Sequence, residues 1–209
     1  MSYSFNETEA LCRKAARGAG FSWGMAEEAG RAARWLKRHG LGGAAALVEL
    51  LQTIDGKPFA QIAPSIGETW QAKTGPACPI CTGTILADHA HLLADGPLRL
   101  NTLHPIFLLP FAAAMSLTGK QAIRLTWEGV EFMSENGDAY FAGDPNSTEA
   151  HVTCERINAI SGQTLPKRDR ADLPAHTYAA LDRFAQRTYA PATEASRLAG
   201  AGAGLTDND

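Results

Sequence analysis

Apolar residues stand at every second position in Ile123, Leu125 and Trp127, and again in Val130 and Phe132, with Arg124, Thr126, Glu128 and Glu131 among them. A period of two belongs to a strand with one buried face and one wet face. Asn136-Gly137 is the dipeptide that a type I′ hairpin turn demands, and Tyr140 and Phe141 lie on the returning strand. After a loop from Gly143 to Thr148, Ala150, Val152 and Cys154 alternate with His151, Thr153 and Glu155 and add a further strand. The result is an antiparallel meander whose apolar face must be covered by other parts of the chain.

Three helices come earlier. Ser4-Phe5-Asn6-Glu7 has the form of a capping box, followed by Leu11, Cys12, Ala15, Ala16 and Ala19 at helical spacing, with Gly18 and Gly20 closing the element. A second helix runs from about Trp23 to His39, with Ala26, Ala29, Gly30, Ala33 and Leu36 on one stripe. Stripes of Ala and Gly let two backbones approach closely, so these helices predict a tight hairpin in which Phe21, Trp23 and Trp35 supply the bulk. Leu47, Val48, Leu51 and Ile54 mark a third helix from about Gly43, stopped by Asp55-Gly56-Lys57-Pro58.

Residues 58–79 are crowded with Pro and Gly and carry no clear period, which reads as a loop or short irregular strands and a natural wall for a site. Thr84 to Leu93 fits a helix with Ile85, Leu86, His89, Leu92 and Leu93 inward, with a short buried strand pair as the alternative. A last helix from about Leu173 to Tyr189, with Tyr178, Leu181, Ala185 and Thr188 on one side, suits a position across the sheet. Helices first, strands in the middle and a helix last predict an α+β fold: a helical amino-terminal layer packed on an antiparallel sheet, with a long carboxyl-terminal helix and a glycine-rich tail. One domain is expected over residues 1–209, with 1–56 a helical subregion and 57–209 the α+β core and tail.

Lys and Arg number 19 against 22 Asp and Glu, a formal charge of -3, so the field that gathers nucleic acid is missing. The basic outer face of the second helix, Arg31, Arg34, Lys37 and Arg38, reads as a solvated surface. Met1 to Glu9 does not have the form of a secretory signal. The longest apolar run, Ile106 to Met115, falls well short of the roughly 20 residues that span a bilayer and is interrupted by Pro110. These features predict a cytoplasmic protein with no membrane partner and with that run buried in its interior.

Cys78-Pro79-Ile80-Cys81 has the spacing of a dithiol redox site and resembles the Cys-Pro-x-Cys of glutaredoxin-like proteins, with Thr164-Leu165-Pro166 in the place of that fold's proline segment. Residues 68–77, however, are polar and broken by Gly75-Pro76, where that fold needs an apolar strand. The plainer reading makes both thiols small buried hydrophobes. Cys78 and Cys81 with His151 and Cys154 form a permitted zinc set, although strand alternation sends His151 and Cys154 to opposite faces. Asp88-His89-Ala90-His91 offers a carboxylate and two imidazoles; His89 is a candidate general base, or a core histidine bonded to a backbone carbonyl.

In the tail, Arg197, Gly200, Gly202 and Gly204 present a cation and backbone amides that an anion could approach, while Leu198 and Leu205 could anchor the segment over a groove or a subunit. No dinucleotide fingerprint is present, because no strand leads into these glycines.

The Glu9-Ala10-Leu11 to Gly20 segment, the Gly24-Met25-Ala26-Glu27-Glu28 helix start, the Gly75-Pro76 to Asp88 stretch and the ending from Ser196-Arg197 to Asp209 resemble a family of bacterial proteins of similar length, classed as a domain of unknown function. That resemblance implies no activity or cofactor. The first helices are also similar to the amino-terminal helices of malate and lactate dehydrogenases of the non-Rossmann type, without the glycine-rich nucleotide-binding segments of those enzymes. The expected function is small-molecule binding, anionic ligands included, in a groove between residues 75–91 and the carboxyl-terminal glycines, within a homodimer. An enzyme using Cys78, Cys81 and His89 as a zinc or thiol site is the alternative, and a non-catalytic subunit or assembly partner is a third.

Overall fold

The structure is a computed structural model that describes residues 2–158, 160, 162 and 164–189. Helix α1 (Phe5–Gly18) begins where the Ser4 hydroxyl accepts from the backbone N–H of Glu7 while the Glu7 carboxylate accepts from that of Ser4, the reciprocal pair the sequence predicts. Helices α2 (Trp23–Arg38) and α3 (Gly43–Ile54) follow. The α1–α2 hairpin is tight: a Cβ on Gly30 would stand 3.0 Å from the Glu9 carbonyl oxygen. Cys12, Ala15 and Ala16 of α1 and Ala26, Ala29 and Ala33 of α2 are buried, as is Phe21 between the helices. Trp23 does not share that role; at the first position of α2 it is 59% exposed.

The larger sheet has the order β2 (Thr69–Trp70), β3 (Leu98–Leu103), β7 (Glu149–Ile157), β4 (Ala122–Trp127), β5 (Val130–Glu135) and β6 (Asp138–Ala142), antiparallel except at β2–β3. A small ladder pairs β1 (Ser2–Tyr3) with β8 (Ala171–Asp172). The meander β4–β5–β6 is the one the alternation predicts. Strand β7 then returns to the far side of β4 and pairs with β3, so the last long strand lies inside the sheet. Register places Leu98, Cys154, Leu125, Phe132 and Phe141 in one row across five strands. On the opposite face Arg124 donates to both Glu155 and Glu131.

Sequence alternation does not predict strand β3. Leu98, Leu100 and Thr102 do alternate with Arg99 and Asn101, but six residues with a threonine in an inward position give a weak periodic signal. The short helix α4 (Phe59–Ile62) and β2 interrupt the irregular stretch before α5 (Pro79–Asp88). Helix α5 begins at Pro79 rather than Thr84, because a proline at the first helical position gives up no intrahelical bond, and a 3-10 turn over Ala90–Ala94 completes the segment. The apolar run is buried as expected, and Pro110 sits in the opening turn of α6 (Leu109–Gly119) instead of breaking it.

Helices α5 and α6 pack on the sheet, and α2 packs on both of them, with Trp35 of α2 reaching the Phe132 ring of β5 at 6.1 Å. Helix α7 (Ala175–Gln186) is shorter than the helix expected from Leu173 to Tyr189, and it lies against α1 and α3 instead of across the sheet. Its inward face is Thr177, Ala180, Leu181, Phe184 and Ala185, while Tyr178 stacks on Tyr3. Among the described residues no helix is long and apolar enough to cross a membrane.

The α5–α6 contact depends on a missing side chain: a Cβ on Gly83 would run into the Phe111 ring. Gly83→Ala is therefore expected to lower stability by ~1–3 kcal/mol in urea unfolding. Gly24→Ala, which meets nothing within 4 Å, is expected to leave stability unchanged or slightly raised; equal losses in the two variants would contradict this packing.

Candidate functional site

Cys78 is the N-cap of α5 and Cys81 lies in its first turn. The chain does pair before the motif, though not as a continuous strand: β2 and the isolated bridge from Ala77 to Thr102 both run parallel to β3, and the Cys78 N–H donates to the Ile62 carbonyl at 2.8 Å. Burial raises the Cys78 thiol, but hydrogen bonds from the Cys81 thiol and from the Cys81 and Ile80 amides outweigh it and bring it below the ordinary value. The bond to Cys78, and burial after it, push Cys81 up. The two thiols are thus inequivalent, Cys78 the more acidic of the pair. Both are also fully buried, as are Cys12 and Cys154, each pushed up to about 12 by burial.

The other groups read from the sequence do not join it. His89 caps the opposite end of α5, roughly 16 Å along the axis from Cys78 at about 1.5 Å per residue. Its Nδ1 lies 2.9 Å from the Ile85 carbonyl, its ring meets the edge of Trp70, and Asp88 and His91 are exposed beside it. His89 is half-buried and bonded to a backbone carbonyl, and the expected grouping of Cys78, Cys81 and His89 is corrected by the length of the helix between them. Cys154 points into the sheet core while His151 lies on the exposed face, so the zinc set of Cys78, Cys81, His151 and Cys154 does not converge. Among the described residues no three His, Cys, Asp or Glu side chains are grouped to hold a metal ion. Leu165 bonds to Ala139 of β6, at the sheet edge opposite β2, far from the dithiol. Arg197, Gly200, Gly202 and Gly204 lie outside the described residues.

A different histidine organises the surface. At the end of β3, His104 adopts the left-handed conformation, with φ 37 and ψ 66, directly before Pro105. A residue before proline is already confined to extended backbone, so this geometry stores strain of about 1–3 kcal/mol. The His104 N–H donates to the Thr148 carbonyl at 2.7 Å, and the His104 carbonyl accepts from Phe107, which holds the corner closed. Its side chain is 7% exposed and its Nδ1 stands 3.9 Å from Glu49 Oε2, near enough for charge to act and too far for a hydrogen bond. Burial pushes the imidazole below its ordinary value and Glu49 only partly offsets this, so His104 is neutral at pH 7.

Two hollows flank this pair. One, of about 330 Å³, is lined by Glu49, Gln52 and Thr53 of α3, by Leu103 and His104, and by Thr148 and Glu149. The second, of about 310 Å³, takes Glu49, His104 and Ile106 together with Pro145, Asn146 and Ser147 and the start of α3. Glu49, Gln52 and Thr53 fall at i, i+3 and i+4, one face of a helix whose other face, Leu47, Leu50, Leu51 and Ile54, is buried. Sequence reasoning passed over His104; its signal was a His-Pro dipeptide closing a strand, at a distance from any other catalytic-type residue along the chain.

Fold and cleft together define an α+β protein with a strained, buried imidazole between a helix face and a sheet-end loop. Residues 3–78 match the model of a family described as a protein of unknown function (DUF3726). No curated protein matches the chain. Among solved structures, malate dehydrogenase from Entamoeba histolytica is similar over 78% of this chain at 13% identity, with a TM-score of 0.41, and the chain spans 50% of that enzyme's length.

The burial of the thiols has a direct chemical consequence. In native protein all four cysteines are expected to resist iodoacetamide, and all four to be alkylated together once denaturant unfolds the chain, as read by mass spectrometry. Rapid native alkylation of Cys78 or Cys81 would show that the dithiol is open to partners.

Proposed function

We propose that the protein binds a small polar molecule in the cleft around His104 and Glu49. The observation that carries this reading is His104 itself: a non-glycine residue held in a left-handed, pre-proline conformation, buried, and aimed at a carboxylate between two hollows. Strain of this kind is retained where a side chain must be placed, and pockets of roughly 300 Å³ and above are of ligand size. A neutral imidazole has one ring nitrogen that donates and one that accepts, so His104 can bond a ligand hydroxyl or amine beside Glu49. Glu49 and Glu149 make the lining acidic, so the cleft favours neutral or cationic ligands over anions.

The test is a thermal-shift screen of the native protein against polyols, primary amines and guanidines, with simple carboxylates as the contrasting set. A ligand present at about 100 times its dissociation constant stabilises by about 2.7 kcal/mol, a shift of several degrees. The expected result is stabilisation by members of the first three classes that disappears in both Glu49→Gln and His104→Ala. No stabilisation by any class, or stabilisation that survives both substitutions, would overturn the reading.

A further inference from the structure

A third cavity, away from His104, lies where the α1–α2 turn meets the end of α3 and α4. It measures about 570 Å³ and its walls include Ala19, Phe21, Met25, Ile54 and Ile62. Ala19, Phe21, Ile54 and Ile62 are themselves buried, so the walls belong to the core and are fixed by it. Two cations sit on this apolar lining, Arg17 from the last turn of α1 and Lys57 from the turn after α3. Arg17 donates one N–H to the Phe21 carbonyl at 2.7 Å and lies 5.3 Å over the Trp23 ring, which holds the guanidinium at the cavity with further N–H groups to spare. Among the described residues neither Arg17 nor Lys57 has a carboxylate within 4.0 Å, although the nearby Asp55 is taken by Arg187 at 2.7 Å. Trp23 and Phe59, 59% and 55% exposed, extend the apolar surface.

We propose that this cavity is a binding site for an amphipathic monoanion, with the apolar body of the ligand in the cavity and its carboxylate on Arg17 and Lys57. An apolar hollow without charge would take neutral and charged amphiphiles alike, and an exposed cation pair without a hollow would hold no ligand firmly. The two together select a carboxylate that carries a hydrocarbon or aromatic tail. The whole lining falls inside residues 3–78, the stretch that matches the family model, so the site belongs to that part of the chain. The proposal is independent of the cleft at His104.

Octanoate, octan-1-ol and octylamine, titrated into the native full-length chain by calorimetry, test it. Octanoate is expected to bind at least about tenfold more tightly than octan-1-ol, and octylamine more weakly than either, the difference a charge-assisted contact supplies. Arg17→Gln and Lys57→Gln should each weaken octanoate several-fold, and the double variant should bind octanoate and octan-1-ol equally. His104→Ala should leave octanoate binding unchanged, which separates failure here from failure at the cleft. Equal binding of acid and alcohol by the native chain, octanoate affinity unchanged in the double variant, or no octanoate binding would each overturn the proposal.

Discussion

The corner at His104-Pro105 is the constraint around which the middle of the molecule is arranged. Strand β3 ends there, a 3-10 turn over Pro105–Leu108 begins, and α6 starts at once with Leu109 buried. At this reversal from sheet to buried helix one residue is left-handed, a conformation that glycine adopts without steric strain. A histidine stands there instead. Its backbone N–H holds the loop before β7 through Thr148, and its side chain turns toward α3. The strain is sustained because Ile106, Phe107, Leu108 and Leu109 are locked in the core on one side of the corner, and the β3–β7 ladder on the other.

The same economy of space shapes the helical side. Ala and Gly stripes bring α1 against α2, Gly83 admits the Phe111 ring, and Gly43 packs against the Leu36 side chain, where a Cβ would stand 2.6 Å from the Leu36 Cβ. Backbones that approach this closely leave little room inside the helical layer. Hollows form instead at its margins: one where the α1–α2 turn leaves the hairpin, the others where α3 faces the sheet end. The first is apolar with cations and the others are polar with carboxylates, so the two regions suit ligands of opposite charge.

Much of this was legible in the sequence where a single periodicity governs a long element. The capping box at Ser4, the stripes of α1 to α3 and the β4–β5–β6 meander follow from local patterns that tertiary packing reinforces. Strand β3 and the packing partner of α7 were not legible, because each is set by long-range contact: β3 by its place beside β7, α7 by a sheet face already occupied by α5 and α6; the start of α5 carries a local signal in Pro79, masked by the Pro- and Gly-rich approach to it. The chemistry-bearing motifs misled for a related reason. Cys78 and His89 are near in sequence and separated by a helix axis, whereas His104 and Glu49 are far apart in sequence and 3.9 Å apart in space. Sequence spacing reports the first distance and has no access to the second.

The cleft depends on His104 being a neutral, buried imidazole beside Glu49. A folded value below the ordinary 6.5 means that the unfolded chain binds the proton more readily. The contribution of His104 to stability is therefore complete above about pH 6.5 and is lost as the pH falls through its folded value. Titration of the histidine ring signals by NMR, with His104 assigned by comparison with His104→Gln, measures that value directly. A buried, neutral imidazole gives a midpoint below 6.5; a midpoint at or above 6.5 would show an exposed or charged imidazole and would contradict this arrangement.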